Sequence, residues 1–253
     1  MINKKNRKAG FYAIGIVLVT ILVTGYALYS FNLVRNKYTA DFRIPLEIVK
    51  FNSDIDNTLF YEKDKIILNA GQIYYNIARQ GAVNIDNPDC SAVVHNSKQY
   101  VVFNEKCHPD TLQIKNLFIR EIKANSNLKG YDFSMQENVL NANGEIIKKK
   151  FESSKSFISF SIEYNINPSF SIDLPREGMN LDDFSSLFEA ASKCKESESL
   201  KQCLQNQGVL NAWDVNFNED IYKFFRFNTK KYFFINEGDG VKFAPIEFNF
   251  ALE

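Results

Sequence analysis

The chain reads as an α+β protein held in a membrane: an N-terminal transmembrane helix, then helices with a small hairpin, then an antiparallel sheet carrying one further helix. Three observations predict this class. Residues 11–34 contain no acidic or basic side chain. Residues 58–122 alternate between helical apolar spacing and one short β-prone pair of runs. From Tyr131 onward the apolar period shortens to two, and many of the 23 Phe and 12 Tyr fall in these β-prone runs.

The apolar segment is FYAIGIVLVTILVTGYALYSFNLV. As a helix its 24 residues reach roughly 36 Å, enough to cross a hydrocarbon core of about 30 Å with some tilt. Phe11, Ile14, Val17 and Ile21 present the lipid-facing surface, while Tyr26 and Tyr29 lie where a phenol reaches the headgroups. Thr20 and Thr24 can bond back to carbonyls one turn earlier. The alternative is a cleaved signal peptide, whose apolar core runs about 7–15 residues and ends in small residues. Here the run is longer and leads into Asn32, Arg35 and Lys37. Lys4, Lys5, Arg7 and Lys8 precede the span, whereas Arg35, Lys37 and Arg43 follow it diluted by Asp41 and Glu47. That bias places residues 1–10 in the cytoplasm and the C-terminal bulk outside.

Composition excludes several classes. Thirty basic and thirty acidic residues give no net charge. Setting aside Lys4, Lys5, Arg7, Lys8 and Arg35 leaves 25 basic against 30 acidic, about minus five. The remaining chain therefore offers no basic surplus for nucleic acid. Eleven glycines and six prolines are too few for a collagen-like or linker-like chain.

Residues 35–56 read as a charged stalk interrupted by Pro45. Residues 58–80 have helical spacing through Leu59, Ile66, Ile67, Tyr74 and Ile77, with Gly81 as terminator. Two β-prone runs, 92–95 and 100–104, form a hairpin between Cys90 and Cys107. Asp110 caps a helix carrying Leu112, Ile114, Leu117, Phe118, Ile119 and Ile122. A domain boundary is set near residue 130, dividing a helical subdomain (57–130) from a β-rich domain (131–253). In the latter, Asn143-Gly144 signals a hairpin turn. Residues 156–166 and 170–174 read as strands, 181–206 as a helix capped by Asn180, and 212–217, 222–227, 232–235 and 241–250 as further strands. The turn at 236–240 joins the last two.

All four cysteines lie after the span, and such a set suits an oxidising exterior. Cys90 and Cys107 flank the hairpin, so strands of equal length bring them together. A metal is the alternative, because His95 and His108 lie close by, yet Cys107 and His108 are adjacent and no Cys-x-x-Cys spacing occurs. Cys194 and Cys203 would lie roughly 13.5 Å apart on one straight helix, too far for a disulfide. A turn within residues 195–199 removes that obstacle. Four cysteines permit three connectivities.

Catalytic patterns are weak. There are two histidines, and no Gly-x-Ser-x-Gly, phosphate-binding glycine loop or His-Glu-x-x-His appears. Asp54, Asp56 and Asn57 resemble the start of a calcium loop but lack its later glycine and glutamate. Asp182 and Asp183 at a helix start complement the helix dipole. Lys148, Lys149 and Lys150 read as a solvated strand edge. The sequence thus assigns no catalytic residue, cofactor or metal, and expects the lipid bilayer and a protein or cell-surface partner as its contacts.

RKAGFYAIGIVLV resembles a type IV prepilin leader, which implies cleavage between Gly10 and Phe11 and assembly through the apolar helix. Gly15 stands where such chains carry a glutamate. At the level of pattern, the whole chain is similar to a group of archaeal single-span membrane proteins. The likeness rests on YYNIARQG (74–81), the cysteine-bracketed hairpin, NPSFSIDL (167–174), the paired cysteines, the Trp213 strand and FNFALE (248–253). It implies a signal-anchor and an external cysteine-containing domain, and carries no activity.

Overall fold

A computed structural model describes residues 15–35, 45–83, 88–152, 161–238 and 240–252 in full. It also gives the backbone of 4–14, 36–44, 153–155 and 158–160. The chain is α+β and divides into two units, Met1–Thr58 and Leu59–Glu253.

Helix α1 (Lys4–Arg79) runs through the residues anticipated as a stalk, with Pro45 inside it. Proline removes one ladder donor and crowds the preceding turn, a cost of about 3 kcal/mol. The helix resumes because residues 46–70 hold neither glycine nor proline. In the first unit, residues Gly15–Arg35 form a helical segment long and apolar enough to cross a membrane, and none of it is buried by protein.

The second unit begins on the last turns of α1, which bury Ile66, Ala70, Ile73, Tyr74, Ile77 and Ala78. The helix stops where the sequence indicates. Gly81 takes φ +76°, its N–H donates to the Ala78 carbonyl at 3.0 Å, and Ala82 N–H reaches back to Ile77 O at 2.8 Å. This is a Schellman cap, in which a left-handed residue closes the ends of the ladder. A β-carbon on Gly81 would lie 2.5 Å from Val101 Cγ2, so glycine is required for space as well.

Strands β1 (Ser91–His95) and β2 (Lys98–Phe103) pair as the expected hairpin. Helix α2 (Thr111–Ala124) follows, with the Asp110 carboxylate accepting from Gln113 N–H at 2.9 Å as its cap. Strands β3 (Tyr131–Gln136), β4 (Val139–Gly144) and β7 (Ser169–Asp173) make a three-stranded antiparallel sheet. Strands β5 (Ile147–Lys155) and β6 (Ile158–Ile166) pair only with each other. Helices α3 (Asp182–Cys194) and α4 (Leu200–Asn206) lead to β8 (Trp213–Glu219), β9 (Lys223–Asn236) and β10 (Val241–Leu252). These last three complete a five-stranded mixed sheet of order β1-β2-β10-β9-β8, in which β2 and β10 are parallel.

Several sequence expectations need correction. Asn143-Gly144 is not a hairpin turn: Gly144 ends β4 opposite Tyr131, and β3 and β4 turn instead at Glu137, which takes φ +54°. The glycine serves packing, since a β-carbon there would sit 2.7 Å from the Tyr131 ring and 2.8 Å from Pro168. The segments anticipated at 222–227 and 232–235 belong to one strand, β9 (Lys223–Asn236), in which residues 229–231 bulge opposite the single residue Ile246 of β10. Buried Thr229 stitches that bulge, its hydroxyl accepting from Ile246 N–H at 2.8 Å and donating to Lys231 O at 2.7 Å. The helix anticipated over 181–206 is broken into α3 and α4 at residues 195–199, where the sequence allowed a turn. Asn180 lies one residue before the assigned cap, and its Oδ1 accepts from Asp182 N–H at 3.4 Å, a long bond of the capping kind. Leu181 occupies the cap position with helical dihedrals and no side-chain bond, while Asn180 Nδ2 donates to Asp183.

The chain contacts separate at Thr58/Leu59, not near residue 130. Elements on both sides of residue 130 share one core: Ile114 and Phe118 of α2, Phe133 of β3, Leu140 of β4, Phe184 of α3 and Phe248 of β10. Its centre is aromatic. Phe250 stacks on Phe103, Phe225 and Phe227 at centroid distances of 5.0, 5.3 and 5.8 Å.

Candidate functional site

The anchor is the first site the sequence proposed. Val17, Ile21, Tyr26 and Tyr29 are all exposed on α1. Large apolar side chains stay exposed in this way only where lipid or a partner covers them. The Thr20 hydroxyl donates to Ile16 O at 2.8 Å, and Thr24 donates to Thr20 O, so neither carries an unmet hydroxyl into the apolar zone. The side chains of Gly10, Phe11 and Ile14 lie outside the described residues.

Both expected cysteine pairs lie at disulfide distance. Cys90 and Cys107 have α-carbons 5.1 Å apart across the β1–β2 hairpin. Cys194 and Cys203 are at 5.7 Å because the chain turns between α3 and α4. The histidines do not join them. His95 stacks on Phe224 at 4.1 Å and meets Asn218 Nδ2 at 2.8 Å, and His108 stacks on Phe188. No group of three metal-ligating side chains occurs among the described residues. Asp54, Asp56 and Asn57 lie on α1, not in a loop, and Asp54 uses its carbonyl to accept from Thr58. Lys148, Lys149 and Lys150 lie on β5, with Lys150 bridging to Glu152.

Asp183 does more than sit at a helix start. It is partly buried, accepts from Trp213 Nε1 at 3.0 Å and from Asn180 Nδ2 at 2.6 Å, and adds to the effect of burial in raising the pKa of the Tyr74 phenol. Burial pushes the Asp183 carboxyl above its usual range despite those two donors. Asp182 beside it faces Lys115 at 2.9 Å and Asn138 at 2.8 Å; burial would raise it, but these partners outweigh burial and hold it low.

The most developed polar site was not singled out in the sequence. A cleft of about 610 Å³ opens where the end of α1, the tip of the β1–β2 hairpin and the β9–β10 hairpin meet. Two charge clusters meet it, and Arg226, which belongs to the first, is not itself in the lining. In one, Glu247 accepts from Lys98 Nζ and from Arg226 NH2, each at 2.6 Å. Burial alone would raise the Glu247 carboxyl, but these two cations lower it below the ordinary value. In the other, Glu237 faces Lys242 at 3.3 Å and Arg79 at 3.7 Å and accepts the Tyr75 hydroxyl. That phenol is pushed up to about 12 by burial and by the carboxylate, and Glu237 is lowered by the hydrogen bonds from Tyr75 and Lys242. Buried Arg226 Nε and Asn249 Oδ1 have no hydrogen-bond partner.

Strand alternation builds this arrangement. In FFRFN (224–228) the phenylalanines at 225 and 227 enter the core, so Arg226 emerges on the opposite face. In IEFNF (246–250) Glu247 and Asn249 do the same. On the far side of the β9–β10 hairpin from Ile235 and Lys242, Tyr232, Phe234 and Phe243 form an exposed aromatic patch, with Phe243 5.0 Å from Phe234 and 5.5 Å from Tyr232.

Compared with protein-family models, curated proteins and solved structures, the chain matches none. Function is therefore argued from the sites themselves. A lipid-compatible helix, a disulfide-braced unit and a cleft of paired charges suit anchoring and recognition.

Proposed function

We propose that this is a single-pass signal-anchor protein whose unit of residues 59–253 lies outside the cell and serves as a non-catalytic binding, adhesive or structural module. The observation that carries the reading is the pairing of a 21-residue apolar helix, bare of protein contacts, with two cysteine pairs at disulfide distance in the other unit. Thiols oxidise and stay oxidised outside the cytosol. The basic residues before the span support a cytoplasmic N-terminus. Binding, not catalysis, is favoured because the cleft's carboxylates are each neutralised by two cations, which leaves neither poised as a general base near neutral pH.

A pilin-like subunit is the second reading, and one observation favours it. The apolar segment and the first buried helix face of the folded unit belong to the same helix, α1. With the leader-like RKAGFYAIGIVLV, this supports processing between Gly10 and Phe11. The mass of the native N-terminus decides between the two. An intact leader on protein that resists alkaline extraction from membranes supports the anchor, and a chain starting at Phe11 supports the pilin. Release into the aqueous fraction would contradict both.

A further inference from the structure

We infer that the cleft between the end of α1 and the β1–β2 and β9–β10 hairpins is a binding site for an acidic saccharide. The argument begins with charge. Among the described residues, Arg79 and Lys242 of the lining pair with Glu237, and Lys98 of the lining pairs with Glu247, which Arg226 also holds from outside the lining, so each cluster has two cations on one anion. Four positive against two negative leaves a surplus of two, one at each cluster. A ligand carrying two separated carboxylates matches that pattern, whereas a neutral one leaves the surplus unmet.

The remaining lining selects among anions. Ser97, Gln99 and Asn249 present neutral donors and acceptors to the same space. A ligand able both to donate and to accept engages all three side chains. Hydroxyls beside carboxylates along its whole length are what a uronic-acid chain offers, and a compact carboxylate such as citrate offers a single one. The volume of about 610 Å³ lies within the range of small-ligand sites. The inference rests on the binding-module reading only for where the saccharide is met, because the site itself lies wholly within residues 59–253.

The test uses the full chain in detergent, with tetragalacturonate, a neutral galactose tetrasaccharide and citrate as probes, followed by calorimetry. Tetragalacturonate should bind, weaken as salt is raised, and exceed both other probes. Lys98→Gln and Lys242→Gln should each weaken it by about five-fold, the scale of one partly screened charge pair. Glu237→Gln should tighten it by about five-fold, because the carboxylate competes with the ligand for Arg79 and Lys242. General damage to the fold would weaken binding, so tightening separates the two cases. If Lys98→Gln does not fold, the more exposed Lys242 and Glu237 carry the test. Equal binding of the neutral sugar, citrate binding as tight, no binding, or weakening by Glu237→Gln would each overturn the inference. Because the measurement is made on purified protein, a chain that binds the uronate yet is found in the cytosol would overturn the external location and leave the site standing.

Discussion

Asp183 shows how a single residue can be read at two levels. Its position at the start of α3 was legible as a dipole partner, but its bond to Trp213, thirty residues on, was not. Sequence spacing carries no information about which strand residue a helix start will meet. The structural consequence is a pH dependence. The folded carboxyl lies above its ordinary value, so its contribution to stability is full below the unfolded pKa and is lost as pH rises through the folded one. Asp183→Asn lacks that loss. Its stability relative to the parent should therefore improve from pH 4 to pH 8, followed in denaturant titrations by the fluorescence of Trp213, the only tryptophan. A difference that stays constant or moves the other way would show that burial does not raise the Asp183 carboxyl above its ordinary value. Arg226 and Glu247 are the complementary case. The strands that carry them were read as β-prone, but their meeting with Lys98, well over a hundred residues away, depends on β10 lying beside β2.

At the scale of elements, local signals succeeded where the chemistry is local. Gly81, Asp110 and the cysteine-bracketed hairpin each act within a few residues, and each was found in place. Asn143-Gly144 failed because Tyr131 and Pro168 need the missing β-carbon, a tertiary demand that local turn preference does not record. The break expected within β9 failed for a related reason: Thr229 satisfies the bulge that it opens, so a polar break in the sequence became the middle of a strand. The hairpin disulfide gives a direct check. Closing the loop between Cys90 and Cys107 restricts the unfolded chain, so replacing both by serine should cost about 3 kcal/mol in denaturant unfolding. A loss well below 1 kcal/mol would mean that the β1–β2 hairpin is held by its strand pairing alone.

For the whole molecule, the sequence revealed the class and the apolar segment more fully than the cleft. An apolar run is a one-dimensional property and needs no fold to be seen. The cleft is assembled from α1, two hairpins and a parallel strand pair, so no window of the chain contains it. The division at Thr58/Leu59, with residues 59–253 as one compact unit, follows from apolar faces that complete each other only in three dimensions.

The central claim is the placement of that unit outside the membrane. Intact cells treated with a membrane-impermeant lysine reagent, followed by peptide mass analysis, test it most directly. Lys148 and Lys150, both exposed on β5, should be modified on intact cells, whereas Lys4, Lys5 and Lys8 should react only after permeabilisation. The reverse pattern, or modification of both sets only after lysis, would contradict the account.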